Sequence, residues 1–223
     1  ESQLYGHSVR IKPIENIIKE LKMLYDLGFK GSVFFVDDDF LFRKIPLDKE
    51  EVLDILKEYN VEIMSLRLGK NTIVQDQYNN IISIPNEIIS VPNDDIFIWN
   101  WFRIKNHTNF RYPFSVDGHI YKRKILLKTL DYEFDTPNAF EGRFNVNRIS
   151  HLMGCFGHSI VVNNPVNIVG SSENKAGVRY GISLKEFNDK YLEGYTIDLE
   201  EMCKNNIVGC HQEMEIKFNV IKS

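Results

Sequence analysis

The chain is 223 residues long, 43% hydrophobic and 26% charged, with a formal charge of −4. That length allows one large domain or two small ones, with a core that needs no staples. The acidic balance argues against a protein built to coat nucleic acid. No apolar run reaches the roughly 18 residues of a bilayer span, and no basic, apolar leader opens the chain, so a cytoplasmic location is expected. Cys155, Cys203 and Cys210 are odd in number and lack CxxC spacing. A disulfide scaffold and a structural zinc site are therefore not expected.

Ile14, Ile17, Ile18, Leu21, Leu24 and Tyr25 recur at three- and four-residue spacing and predict a helix over 11–30, with Pro13 in its first turn and Gly28 at its stop. Ser32–Val36 reads as a strand buried on both faces. It runs into Asp37-Asp38-Asp39. A second helix is expected over 48–58, with Asp48 and Glu51 forming a capping box. Val61–Leu68 reads as a strand. Residues 69–98 are mixed, and an aromatic segment, Phe97–Phe102, follows. There Trp99 and Trp101 suit either core packing or stacking on a sugar. His119–Tyr121 reads as a strand that gives way to a short helix over 124–130. The region 135–150 is polar, and Ile160–Val162 is a short strand. Residues 170–181 read as a mobile loop. Ser183 caps a helix with Glu186 at the reciprocal position, and Gly194 stops it near Leu192. With no repeat or linker, a single α/β domain is the simplest organisation.

Three adjacent carboxylates at the end of a buried strand repel one another. Two unit charges about 4 Å apart cost about 4 kcal/mol at an effective dielectric near 20. A divalent cation is the strongest offsetting candidate, since hard cations take carboxylate oxygens. The place suits a site as well, because ligands of α/β sheets bind beyond the carboxyl ends of the strands. The plainer reading is an acidic turn in which Asp37 or Asp38 caps a neighbour.

An apolar strand entering a DxD motif resembles the glycosyltransferases of the GT-A fold. A group of bacterial glycosyltransferase-like proteins is similar over further segments: Ser65–Asn71, Tyr112–Tyr121, Pro137–Gly142, Phe187–Asp198 and His211–Phe218. The resemblance implies a GT-A-like (Rossmann-like) mixed sheet flanked by helices. Only 36 residues precede Asp37, so residues 1–40 would be a truncated nucleotide-binding part and 41–223 the metal and acceptor part. The implied activity is a metal-dependent, inverting transfer of a sugar from a nucleotide-diphosphate donor to a glycan or lipid-linked glycan in polysaccharide biosynthesis, with peripheral contact at the inner membrane face.

On that resemblance Mn²⁺ or Mg²⁺ sits on Asp39, with Asp37 and His211 completing the shell and Asp38 near the donor. Glu141 is the general base, and Asp117 binds the acceptor sugar. Gly118 lets the backbone approach the ligand. Arg67 and Lys70, near or just past a strand end, meet phosphates. Lys175 and Arg179 close over the diphosphate as part of a lid. His119 is a weaker candidate. Lys122-Arg123-Lys124 reads as a solvated face with an option on an anionic lipid or acidic glycan.

Two other readings accompany this one. A non-catalytic glycan-binding or scaffolding module would keep the fold without the chemistry. The pattern from Arg10 to Phe40 (Arg, Pro, helix, Gly, strand, Asp-Asp-x-Phe) also occurs in radical enzymes that use S-adenosylmethionine. Those carry a CxxxCxxC cluster motif, which is not found in these 223 residues.

Overall fold

The computed structural model describes residues 31–34, 39–75, 80–85, 88–91, 96–122, 124–125, 137–142, 151–165, 179–180 and 183–220. Six strands form the main sheet: β1 (Gly31–Phe34), β3 (Ile63–Ser65), β6 (Ile88–Val91), β7 (Ile96–Asn100), β8 (His119–Lys122) and β9 (Leu152–Phe156). Their order is β1-β8-β3-β9-β7-β6. The sheet is mixed: β3 runs parallel to β9, with Ser65 opposite Cys155, and its other ladders are antiparallel. Three two-stranded ladders stand beside it. They pair β2 (Asp39–Leu41) with β10 (Val161–Asn163), β4 (Val74–Gln75) with β5 (Asn80–Ile81), and β11 (Tyr195–Ile197) with β12 (Phe218–Val220). The described helices are α1 (Lys49–Glu58), α2 (Pro137–Gly142), α3 (Leu184–Leu192) and α4 (Leu199–Met202). A mixed sheet with helices is the architecture the sequence predicts.

The central strands are apolar on both sides because both sides are covered. Alternation along a strand sends successive side chains to opposite faces. Phe97 and Trp99 join Ile63, Met153, Phe110 and Phe114 on one face. Ile96 and Ile98 join Met64, Phe156 and Val161 on the other, where Val52, Ile55 and Leu56 of α1 cover them. The expected capping box of α1 is present: Asp48 accepts from the Glu51 amide at 2.9 Å, and Glu51 accepts from the Asp48 amide at 2.8 Å. Lys122 donates to the Leu56 carbonyl in the last turn of α1, and Lys124 pairs with the buried Glu62. Two of the three residues of the basic run thus have local structural partners; Arg123 lies outside the described residues.

Trp99 and Trp101 are core residues. Trp99 donates from Nε1 to the Phe110 carbonyl at 2.8 Å, and Trp101 is buried at the start of a 3-10 turn, Trp101–Arg103. Ser183 caps α3 by accepting from the Glu186 amide, and Gly194 has a φ of 85° just beyond the helix. The predicted helix over 11–30 and most of the loop over 170–181 lie outside the described residues. The three thiols are free. No helix among the described residues is long and apolar enough to cross a membrane.

The loop after β3 is fastened at nearly every residue. Leu66 donates to the Gly118 carbonyl at 2.8 Å, and its own carbonyl accepts from Ile160 and Val161. The Leu68 amide donates to the Ser65 hydroxyl, and Lys70 donates to the Gly157 carbonyl. Asn71 exchanges bonds with the Ser159 hydroxyl and amide. Gly69 lies against this second strand-end loop. A Cβ there would stand 2.7 Å from the backbone carbon of His158, closer than real Cβ atoms approach. Gly69→Ala is therefore expected to destabilise the fold by about 1–3 kcal/mol, because only the backbone can give way; urea unfolding measures it.

Candidate functional site

Five chain segments converge beyond the ends of β3 and β10. Arg67 follows β3, Asp117 immediately precedes Gly118 at the entry to β8, Asn163 closes β10, Asp39 opens β2, and His211 lies in a segment bridged to Asn163. Gly118 has a φ of +62°, the left-handed region that glycine enters without cost. A Cβ there would meet Val161 and the Cβ of Arg67 only at ordinary van der Waals distance. Backbone conformation, and not crowding, therefore favours this glycine. Tyr121 fixes the approach to the turn: its hydroxyl donates to the Ser115 carbonyl at 2.6 Å and accepts from the Ser115 amide at 2.7 Å.

Arg67 and Asp117 form a buried ion pair through Nη1 and Oδ2. Burial works against both charges. For Arg67 the attractions of Asp117, Cys210, Glu141 and Tyr121 together exceed it, and the guanidinium stays protonated. For Asp117 burial raises the pKa, but Arg67, then His211 and a hydrogen bond from Asp39, bring it down to about 2. His211 is pushed down to about 4 by burial; Asp117 opposes that and Arg67 adds to it. His119 is pushed down to about 3 by burial and then by Arg67.

A neutral His211 completes a directed chain of hydrogen bonds. Arg67 Nη1 donates to His211 Nε2 at 2.9 Å, and His211 Nδ1 donates to Asn163 Oδ1 at 3.2 Å. Asn163 Nδ2 then donates to Asp39 Oδ1 at 3.3 Å. Each neutral member gives one proton and takes one, so the order fixes the imidazole tautomer. Among the described residues, three buried polar atoms around this chain have no hydrogen-bond partner: Arg67 Nε, Asp117 Oδ1 and His119 Nε2.

The pair forms one wall of a cleft of about 580 Å³, whose lining includes Tyr112, Ser115, Asn163, Glu141 and His211. Glu141, on α2, has both oxygens engaged: Oε1 accepts from the Val116 amide at 2.6 Å and Oε2 from the Tyr112 hydroxyl at 3.0 Å. Burial and then the Glu141 charge raise the Tyr112 pKa, so its phenol stays protonated and donating.

The structure brings Arg67, Asp117, Glu141 and His211 together in this cleft, with Asp39 behind them, bonded to Asn163 and to Asp117. Lys70 is elsewhere, with Nζ 3.8 Å from the centre of the Phe97 ring. Arg179 is exposed, and its amide donates to Glu213. His119 is fully buried, with Nδ1 3.0 Å from the Asp117 carbonyl oxygen. Asp37, Asp38 and Lys175 lie outside the described residues. Among the described residues, no group of three or more His, Cys, Asp or Glu side chains is placed to hold a metal ion. Sequence reasoning missed Asn163, Tyr112 and Arg111. An Asn pair directly after an apolar strand was a usable signal for Asn163. Nothing local joins Tyr112 to Glu141, 29 residues away.

Comparison with known proteins redirects the functional reading. One similar protein is the hopanoid C-2 methylase of Rhodopseudomonas palustris, 50% identical over 46 residues, which are 20% of this chain and 9% of that protein. Another is an uncharacterized methyltransferase of Synechocystis, 41% identical over 58 residues, 26% of this chain and 10% of that protein. The matches span about a tenth of the length of these relatives. No protein-family model and no solved structure matches the chain. Both relatives are named for methyl transfer. This corrects the glycosyltransferase assignment: the family resemblance, the hexosyltransferase activity and the DxD nucleotide-sugar transfer attached to it are overturned. The error came from taking carboxylates after a strand as a diphosphate–metal signature. Residue type and position alone do not separate that signature from other acidic strand ends.

Two predictions follow from the buried network. Asp117→Asn leaves the Arg67 charge buried without its counter-charge and is expected to cost about 3–5 kcal/mol, read as a lower urea midpoint. The histidine pKa values are depressed below the usual 6.5, so the unfolded chain binds more protons than the folded one in the acid range. Their contribution to stability is present in full above about pH 6.5, and declines as pH falls toward 4 for His211 and 3 for His119. Chemical denaturation between pH 7 and 4 should show this decline, and His211→Asn should flatten its upper part.

Proposed function

We propose that the chain is part of an S-adenosylmethionine-dependent methyltransferase. The observation that carries this reading is the 50% identity over 46 residues to a methylase, supported by the second methyltransferase match. The pattern from Arg10 to Phe40, shared with radical enzymes that use S-adenosylmethionine, agrees with it.

The described cleft does not fit the cofactor itself. A ribose diol and an ammonium group call for an available carboxylate, and the carboxylates in the cleft wall are already engaged, Glu141 at both oxygens and Asp117 with Arg67. No step is assigned to the cofactor there. The cleft instead suits the methyl acceptor. Its volume is that of a small-molecule site, and its wall offers the amide of Gln75 and the hydroxyl of Ser115. Glu141 and Tyr112 brace one side, and the Arg67–Asp117–His211 group sets the charge of the other. The chain's own residues would here bind and orient the acceptor.

Calorimetry on the full chain tests the reading. S-adenosylmethionine and S-adenosylhomocysteine are expected to bind with a Kd in the micromolar range, and a nucleotide sugar with Mn²⁺ is expected to give no heat. Heat from the nucleotide sugar and none from either adenosyl compound would overturn the assignment.

A further inference from the structure

The cleft wall holds two side-chain amides that the protein does not use for its own bonding. Gln75 ends β4 and is 6% exposed; Asn109 opens the 3-10 turn Asn109–Arg111 and is 8% exposed. Both line the cleft. Among the described residues, neither side-chain amide has a hydrogen-bond partner. An amide side chain carries two donors and an acceptor. Keeping it in a wall without a partner costs free energy, and a ligand that supplies the partner recovers that cost.

Arg111 closes the same turn and lines the same cleft. Its Nη1 donates to the Lys105 carbonyl at 2.8 Å. That bond restrains the guanidinium and leaves the donors on Nε and Nη2. The two carboxylates of the wall are bound elsewhere: Asp117 to Arg67, and Glu141 to the Val116 amide and the Tyr112 hydroxyl. Neither serves as the counter-charge of Arg111.

We propose that the cleft binds a small hydroxylated carboxylate, with Arg111 on the carboxylate and Gln75 and Asn109 on the hydroxyls. A guanidinium fork matches the two oxygens of a carboxylate through parallel hydrogen bonds. Asp117 and Glu141 keep negative charge in the same wall, so a singly charged group is repelled less than a doubly charged phosphate. Hydroxyls both donate and accept, as amides do. The inference rests on the methyltransferase reading only in making this ligand the methyl acceptor; binding in the cleft requires no methyl transfer.

Ligand-observed NMR on the full chain tests it with three probes. Gluconate has both features, hexanoate lacks the hydroxyls, and sorbitol lacks the carboxylate. Gluconate is expected to bind about tenfold more tightly than either. Arg111→Gln should remove its advantage over sorbitol, and Arg111→Lys, which keeps the charge without the fork, should recover only part of it. Asn109→Ala and Gln75→Ala should each weaken gluconate and leave hexanoate unchanged. Lys105→Ala keeps the carbonyl that holds Arg111 and should leave gluconate affinity nearly as it was. Equal losses in K105A and R111Q would reduce the effect to general attraction and overturn the proposal. So would equal affinity for the three probes, or no gluconate binding at about 50 mM. Competition between gluconate and S-adenosylmethionine would put the cofactor in the cleft and overturn it as well. Binding of the adenosyl compounds to the wild-type chain is measured separately, so failure here is distinguishable from failure of the methyltransferase reading.

Discussion

A guanidinium buried beside a carboxylate is the constraint around which the described part of this protein is arranged. Arg67 is 2% exposed and Asp117 5%, so neither can recover by turning toward water. Each tolerates burial because the other is there, and because the surrounding chain holds both still. Leu66, one residue before Arg67, is bonded to the carbonyl of Gly118, one residue after Asp117. The ion pair and that backbone bond are thus neighbours on the same two segments. A pair of this kind adds little net stability compared with apolar packing, but it is costly to break on one side only. The consequence is a cleft wall with one fixed arrangement of charge.

Organisation spreads outward from the pair through uncharged groups. His211 is kept neutral by its burial, and neutrality lets it accept from Arg67 while donating to Asn163. Asn163 passes the polarity on to Asp39. The carboxylate that ends the acidic run therefore belongs to an extended network whose cation is an arginine side chain. Opposite, Glu141 is occupied by the Val116 amide and the Tyr112 hydroxyl, which ties α2 to the segment entering β8. Both carboxylates of the cleft thus serve first as braces.

Much of this was legible residue by residue, and little of it as a set of pairs. The capping box of α1 was readable because it is a pattern of four residues whose partners are local. The strands β1 and β3 were readable because Ser32–Val36 and Val61–Leu68 are rich in apolar residues. Arg67, Asp117, Glu141 and His211 were all singled out, Arg67 from its place near a strand end and the other three from the glycosyltransferase resemblance. What the sequence could not show was that Arg67 pairs with Asp117, 50 positions later, or that Glu141 is held by Tyr112. Contacts across such separations depend on sheet order, and the order β1-β8-β3-β9-β7-β6 has no local signature. The same limit led the chemistry astray. Acidic residues after a strand were assigned to sugar transfer, and the pattern from Arg10 to Phe40, shared with radical enzymes that use S-adenosylmethionine, was set behind it because their cluster motif is not found in these residues.

The chain has two tryptophans, and both are packed into the layer beneath the cleft. Trp99 is tied by its indole N–H to Phe110, which stands between the cleft residues Asn109 and Arg111 and meets the indole edge-on at 5.4 Å. Intrinsic fluorescence from this protein is therefore an optical signal from one place. Its emission should be blue-shifted by the dry surroundings, and it originates within one hydrogen bond of the ligand-facing loop, so occupancy of the site can be followed without a dye or a label.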